Sequence, residues 1–294
     1  MGPAVQYSLI AEPRYDQKNQ SRQIVDEEAV ARNTQSLSNL RKFSSLIGKM
    51  SDDVVRGNAQ SAQCLTELLK KWAVGNALLG PAPTPQGEYE RFWALSGISL
   101  STLKLQRSGY EIPEDVLDWL QRVAAQVQME QQQRTAPNNL TVWAALGTGT
   151  VALLASRDDL WEWSVGRVHR FLAQIQPDGS VPTELKRRER ATGYHFFAAQ
   201  PLLTLIKVSE CYGRSLPADD LAQVDRFLSL LNKLQTGSIS LEVPAGARQL
   251  SVGKPAWLPF LSTPDVSRDT SKDVRIPRLG GSLSMLDRAS ACSQ

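Results

Sequence analysis

The stretch PEDVLDWLQRVAAQV, residues 113–127, decides the fold class of this chain. Pro113 suits the first turn of a helix, and the acidic Glu114 and Asp115 follow where the helix macrodipole favours negative charge. Apolar residues then recur at the spacing of one helix face: Val116, Leu117, Leu120, Val123, Ala124 and Val127. The stretch therefore predicts an amphipathic helix.

Similar signals on both sides predict further helices. Ser156 and Asp159 have the spacing of a capping box, and Pro217 suits the first turn of another helix. Asp52 and Asp53 predict the start of an earlier helix. Each signal is followed by apolar residues at helical spacing, so the amphipathic pattern repeats along the chain.

The remaining stretches complete the prediction of fold class. Residues 88–106 and 141–155 are apolar enough to form largely buried helices, and residues 238–243 are the one modest strand candidate. Helices joined by short turns predict an all-α protein built of helical hairpins. Residues 1–24 and 236–294 are less regular, and residues 262–272 have the composition of a mobile loop.

Composition narrows the classes of function. The chain has 294 residues, 41% of them hydrophobic, and a net charge of +3, which is typical of a soluble globular protein and argues against a general nucleic-acid binder. Two histidines exclude a multi-histidine metal site, and three cysteines imply no disulfide framework. The chain has no apolar run of the ~18 residues that a membrane span needs, so we expect no membrane insertion.

The densest chemical signal is ELKRRERATGYH, residues 184–195. A solvated helix face is the ordinary interpretation of such a basic run. On one continuous helix, however, Arg187 and Tyr194 would lie on the same face with Arg190 beside them, and two phenylalanines follow directly. Because arginine binds carboxylates in a forked geometry, the stretch also fits the wall of a pocket for an anion. Both interpretations stay open at this point.

A second signal is the pair Asn138 and Asn139, directly before the apolar stretch 141–155. Both are natural N-caps, and a helix N-terminus also favours an anion. Trp143 and Trp257 neighbour polar, turn-rich segments and are candidate ligand contacts. Trp93 and the other tryptophans have the spacing of core residues.

Longer blocks of sequence carry a family resemblance. They are NNLTVWAA (138–145), DDLWEW (158–163) and DGSVPTELKRRERATGYH (178–195), with shorter matches at 62–65, 92–95, 256–258 and 278–281. In this order they resemble the alginate lyases of polysaccharide lyase family 5. The resemblance implies an α/α toroid, an incomplete barrel of helical hairpins with a deep cleft, formed by residues 1–294 as a single domain. Residues 1–24 would be an irregular N-terminal segment with a lid, and residues 236–294 a loop-rich C-terminal region.

The resemblance also implies an activity and a setting. The expected reaction is β-elimination on an anionic uronic-acid polymer, such as polymannuronate or polyglucuronate, without a metal or other cofactor. The expected location is the periplasm of a bacterium or the medium outside it. We expect a monomer with no nucleic-acid partner.

Site roles follow from the resemblance, position by position. Tyr194 would be both base and acid, and Asn139 and Arg187 would neutralise the substrate carboxylate. Tyr15, Lys18 and Arg22 would belong to the lid segment near the cleft. The other predicted substrate contacts are Asn138, Trp143, Arg190, His195, Trp257 and Arg278.

The chain departs from the family pattern at several positions. The family has a catalytic histidine where this chain has Leu140, and tyrosines where it has Val142 and Phe197. Cys64 matches a family cysteine that is often disulfide-bonded, but its partner near the N-terminus is missing. Because leucine can neither donate to a carboxylate nor accept a proton, three alternatives remain. The chain is a lyase of altered or reduced activity, a saccharide-binding relative without turnover, or a lyase deliberately inactivated at Leu140.

Overall fold

The computed structural model describes residues 2–16, 18, 24–242, 249–253, 255–262 and 273–291. The helices are α1 (Glu27–Ser36), α2 (Ser38–Val55), α3 (Ala59–Val74), α4 (Pro85–Arg107), α5 (Glu114–Gln132), α6 (Asn139–Ala155), α7 (Asp158–Leu172), α8 (Pro182–Leu185), α9 (Ala191–Glu210), α10 (Ala218–Thr236), α11 (Leu258–Ser262) and α12 (Leu283–Ala289). Two strands, β1 (Arg275–Ile276) and β2 (Gly281–Ser282), form a short antiparallel hairpin. The prediction of an all-α protein is confirmed.

The long helices form two rows. Helices α2, α4, α6 and α9 contact one another in that order, and α3, α5, α7 and α10 pack outside them. Nearly every residue of α4 and α6 is buried. The apolar sequence of α6 favours this, whereas α4 also buries charged residues such as Arg91 and Lys104. The outer helices bury one face, as the periodicity of residues 113–127 predicts for α5. Each inner helix therefore pairs with an outer one, and the predicted helical hairpins are confirmed.

Three local predictions are wrong for identifiable reasons. Asp52 does not start a helix but lies inside α2, and α3 begins after Asn58, whose side chain caps it. Ser156 does not cap α7, because it ends α6 in the left-handed conformation with φ of 52°. The described part of the strand candidate, residues 238–242, forms no strand. The rest of that candidate, and residues 263–272 of the predicted mobile loop, lie outside the described residues.

A buried ion pair anchors the C-terminal hairpin to the inner helices. Lys104 Nζ on α4 lies 2.6 Å from Asp52 Oδ1 on α2, and both side chains are fully buried. Lys104 also donates to the Gly280 carbonyl at 2.7 Å. Asp52 accepts hydrogen bonds from the Ser282 amide and from Arg275. The charge of Asp52 is therefore used to hold a distant segment, which no helix-start rule anticipates.

The described residues of the N-terminal segment are irregular, as predicted, apart from one bridge between Tyr15 and Val25. Its backbone is held against the loop before α4 by hydrogen bonds such as that from the Leu9 amide to the Pro81 carbonyl, 2.9 Å long. Across the part of the chain that is described, no helix combines the length and apolarity required to cross a bilayer.

Candidate active site

A cavity of about 480 Å³ opens between the inner helices and the two irregular ends of the chain. Seven of the predicted site positions line it: Tyr15, Asn139, Leu140, Arg187, Arg190, Tyr194 and Arg278. Arg14 adds a fourth arginine, and no aspartate or glutamate belongs to the lining within the described residues. The cavity is therefore suited to an anion.

Arg187 and Tyr194 meet in this cavity, although they do not share a helix. The chain runs from α8 through a 3₁₀ turn (Arg188–Arg190) into α9, and Arg188 has a left-handed φ of 53°. The premise of one continuous helix is thus wrong. The bend nevertheless brings the Arg187 guanidinium over the Tyr194 ring, with 4.7 Å between its central carbon and the ring centroid. Arg187 Nε is buried and makes no hydrogen bond within the described residues.

Asn139 occupies the first turn of α6 and is held by a buried carboxylate. The Glu184 carboxylate accepts from the Asn139 amide at 2.6 Å and from Asn139 Nδ2 at 3.0 and 3.1 Å. Arg187 Nε lies 3.9 Å from Glu184 Oε2. Burial raises the pKa of Glu184, while the Asn139 amide, Arg187 and the Asn139 side chain oppose that rise. Glu184 thus stands directly behind two predicted catalytic residues.

The neighbouring Asn138 has the structural role that its position favours. Its side chain accepts from the Leu140 amide at 3.0 Å and caps α6, and it does not line the cavity. Leu140 itself is 6% exposed and faces the cavity next to Asn139. The altered position is therefore part of the site, whereas Asn138 acts through the helix.

The predicted lid residues are only partly brought to the cavity. Arg190 donates to the Tyr15 hydroxyl at 3.3 Å and stacks on the Tyr15 ring, and both residues line the cavity. Lys18 is exposed and is not part of the lining. Arg22 lies outside the described residues.

Arg278 reaches the cavity from the turn of the C-terminal hairpin. Its guanidinium carbon lies 3.9 Å from the centroid of Trp93 and 5.7 Å from that of Phe197. Burial lowers the pKa of Arg278 to about 10, so the side chain remains a cation at neutral pH. A stacked cation with free N–H edges is suited to binding a carboxylate.

The side chains of three predicted substrate contacts lie in the core of this structure. Trp143 is fully buried behind Phe197, and Trp257 packs against Phe196. His195 is also fully buried: Nε2 accepts from the Val181 amide and Nδ1 donates to the Ala191 carbonyl. None of the three lines the cavity.

Sequence reasoning missed several wall residues. Tyr89, Trp93 and Phe197 line the cavity, although Trp93 is only 8% exposed and has the spacing of a core residue. Residues 250–252 form another wall, where the Leu250 amide donates to the Glu189 carbonyl at 2.7 Å. No local signal marks these residues, since only tertiary packing brings them to the arginines.

The chain is similar in sequence to known bacterial lyases. The family model described as "Alginate lyase" matches residues 10–233. A polysaccharide lyase of Stenotrophomonas maltophilia is 27% identical over 275 residues, which cover 90% of this chain and 83% of that protein. An alginate lyase of Pseudomonas putida is 29% identical over 204 residues, 66% of this chain and 55% of that protein.

The fold of this chain is similar to that of solved alginate lyase structures. Alginate lyase A1-III from Sphingomonas species A1 is 22% identical and superposes with a TM-score of 0.71, over 97% of this chain and 84% of that one. A variant of A1-III complexed with a tetrasaccharide gives a TM-score of 0.74 at 21% identity. The predicted α/α toroid is confirmed.

Proposed function

Since this chain belongs to the alginate lyase family and is thus a polysaccharide lyase, we propose that it cleaves a uronic-acid polymer by β-elimination. The observation that carries the proposal is the Arg187 guanidinium stacked on Tyr194 in a cavity with four arginines and no acidic residue in its described lining. This arrangement places a proton-transfer group beside cations that fit carboxylates.

The first requirement of the reaction is to acidify the C5 proton of the uronate. Its removal moves charge onto the C6 carboxylate, so donors aimed at that group stabilise the transition state. Arg187 lines the cavity and presents its guanidinium group there. Asn139 also lines the cavity, and one N–H of its Nδ2 is directed at Glu184, which leaves the other for the ligand. These two residues supply the neutralisation in the proposed mechanism, which uses no metal.

Tyr194 carries the proton in the second part of the proposed mechanism. Its phenolate oxygen takes the C5 proton, and the electron pair left on C5 forms the C4–C5 double bond. The C4–O4 bond breaks, and O4 receives the proton back from Tyr194. The positive charge of Arg187 over the ring stabilises the phenolate. One tyrosine serves both steps when the C5 proton and O4 lie on the same ring face, as they do in D-mannuronate and D-glucuronate.

A second candidate, saccharide binding without turnover, is favoured by one observation. Leu140 occupies the wall beside Asn139, and His195 is turned away into the core with both ring nitrogens engaged. Within the described lining, therefore, no imidazole faces the cavity. This candidate predicts polymer binding without formation of an unsaturated product.

The experiment that separates the two candidates is an absorbance assay for unsaturated uronates. We expect product from polymannuronate or polyglucuronate and little from polyguluronate. Tyr194→Phe should lower kcat by about 10²–10⁴-fold while Kd for an oligouronate stays nearly unchanged. Tyr212→Phe is the matched control, because the Tyr212 hydroxyl bonds Gln106 outside the cavity. Binding without product in the parent protein would establish the second candidate.

The setting is part of the proposal. The relatives are bacterial proteins, and we propose that this chain acts as a monomer in the periplasm or outside the cell. Fractionation of a producing cell and sedimentation of the purified protein test these two points.

A further inference from the structure

Glu184 has no place in the proton transfers, yet its surroundings are unusual for a carboxylate. The side chain is fully buried and does not line the cavity. A buried charge is costly unless it is paired and hydrogen-bonded, so such a group persists only with specific partners. The partners here are two residues that face the ligand, Asn139 and Arg187.

Asn139 donates hydrogen bonds to Glu184 from both its backbone and its side chain. Its backbone N–H, one of the unpaired amides in the first turn of α6, donates to Glu184 Oε1 at 2.6 Å. Its Nδ2 group lies 3.0 and 3.1 Å from the two carboxylate oxygens. Because both Glu184 oxygens accept hydrogen bonds from Asn139, the carboxyl group fixes which end of the Asn139 side-chain amide points inward. One N–H of Nδ2 is then left to point elsewhere.

Arg187 is restrained from the other side. Its Nε lies 3.9 Å from Glu184 Oε2, and its guanidinium plane rests on the Tyr194 ring. Glu184 belongs to α8, three residues before Arg187, whereas Asn139 begins α6. One buried carboxylate therefore links two elements that are 45 residues apart in sequence.

We propose that Glu184 is a positioning residue, which orients the Asn139 amide and the Arg187 guanidinium together toward the C6 carboxylate of the bound uronate. The inference rests on the proposed function. It adds to that function the group that aligns the two carboxylate-binding side chains.

The test is a double-mutant cycle on elimination. Glu184→Gln keeps the size of the side chain but replaces one acceptor by a donor that opposes Asn139. We expect kcat/KM to fall by about 10²-fold, the cost of a misplacement near 1 Å, with most of the loss in kcat. In the Asn139→Ala background the same substitution should lower kcat/KM by a smaller factor than in the parent, since only the orientation of Arg187 is then left to lose.

Glu130→Gln is the matched control. Glu130 is also a buried carboxylate paired with an arginine, Arg91, but it does not line the cavity. We expect it to lower the melting temperature while leaving kcat and KM unchanged. Full additivity of Glu184→Gln and Asn139→Ala would overturn the proposal. So would a Glu184→Gln effect that tracks the loss of stability, as in the Glu130 control.

Two further measurements keep the test independent of folding and of the proposed function. If Glu184→Gln does not fold, Glu184→Asp, which keeps the charge but withdraws it by one methylene, replaces it in the same cycle. A crystal structure of the folded variant should show the Asn139 amide and the Arg187 guanidinium turned from their present orientations. If the parent protein cleaves no uronate polymer, the proposed function fails, and unchanged orientations in that crystal structure would separately sink the role of Glu184.

Discussion

At the scale of single residues, three of the four arginines of the cavity share one arrangement. Their guanidinium groups lie over aromatic rings: Arg187 on Tyr194, Arg190 on Tyr15 and Arg278 on Trp93. The contact with the ring restrains the position of the cation. A lysine would supply the same charge without this restraint, so the site selects arginine for its shape as well as its charge.

Leu140 gives the first prediction at this scale. Leu140→His places an imidazole in the cavity wall beside Asn139. We expect elimination to become faster, because general acid–base groups contribute about 10²–10⁴-fold. The gain should be largest for substrates whose C5 proton lies opposite O4, which Tyr194 cannot serve alone. The absorbance assay on polymannuronate and polyguluronate measures this, and an unchanged rate on both polymers would show that the position has no catalytic role.

His195 gives a prediction about pH. Burial lowers the pKa of His195 from its ordinary 6.5 to about 4, with the Ala191 carbonyl and Asp178 opposing the shift. Because the unfolded chain binds the proton more tightly, the stabilisation is present above pH 6.5 and is lost as the pH falls toward 4. The loss amounts to about 3 kcal/mol.

The matched variant is His195→Gln, which keeps an acceptor near the Val181 amide but does not titrate. Urea unfolding of both proteins at pH 7 and pH 4.5 isolates the contribution of this histidine from those of the carboxylates. The parent should lose more stability than the variant between the two pH values. Equal losses would mean that folding does not lower the pKa of His195.

At the scale of elements, the hairpin and α4 fit against each other at one glycine. A Cβ atom on Gly97 would overlap the carbonyl oxygen of Pro277, the residue before Arg278. Gly280 then turns the chain with a left-handed φ of 74°. Close backbone contact thus fixes the height at which Arg278 enters the cavity.

Gly97→Ala is the prediction that follows. The added methyl group should push the hairpin away from α4, lower the melting temperature and raise KM through displacement of Arg278. Gly166→Ala is the control, because Gly166 also lies within a helix but a Cβ there meets nothing within 4 Å. That change should stabilise the protein by up to about 1 kcal/mol, as expected from helix propensity. Similar effects of the two changes would refute the close-contact argument.

The same scale shows what the sequence could predict. Periodicity located α5 and α10 because each buries one face, and apolar composition located α4 and α6 because they bury nearly all faces. The helix-start rule gave the wrong prediction at Asp52, because the partners of this residue, Lys104 and Ser282, are distant in sequence. In the site, the sequence motifs that contain the predicted arginines and tyrosines indicate their chemistry, and those that the structure describes line the cavity. Trp143 and His195 could not be told from ligand contacts, since burial is a property of the packed molecule.

At the scale of the whole molecule, the cavity is assembled from the full length of the chain. Its lining residues lie in six separate segments of the sequence, from Pro13 near one end to Arg278 near the other. A ligand bound there contacts segments that no single helix contains. Binding should therefore stabilise the complete fold rather than one element.

This gives a prediction for unfolding in the presence of ligand. An oligomannuronate at 100 times its Kd should raise the free energy of unfolding by about 2.7 kcal/mol. Urea titration of the Tyr194→Phe protein, which should bind without cleaving, measures the effect. A neutral mannose oligomer is the control, and Arg187→Ala should weaken the stabilisation at the same ligand concentration. Equal stabilisation by the charged and neutral sugars would contradict binding through carboxylates.

The hairpin that carries Arg278 also has a consequence for synthesis on the ribosome. Translation delivers Asp52 and Lys104 well before Gly280 and Ser282, the groups that complete their hydrogen bonds. A nascent chain that ends before residue 275 therefore contains the long helices but exposes an incompletely satisfied ion pair and lacks one wall of the cavity. The cleft is completed only after this hairpin has been translated, so we expect ligand binding to require residues 275–282 in addition to the long helices.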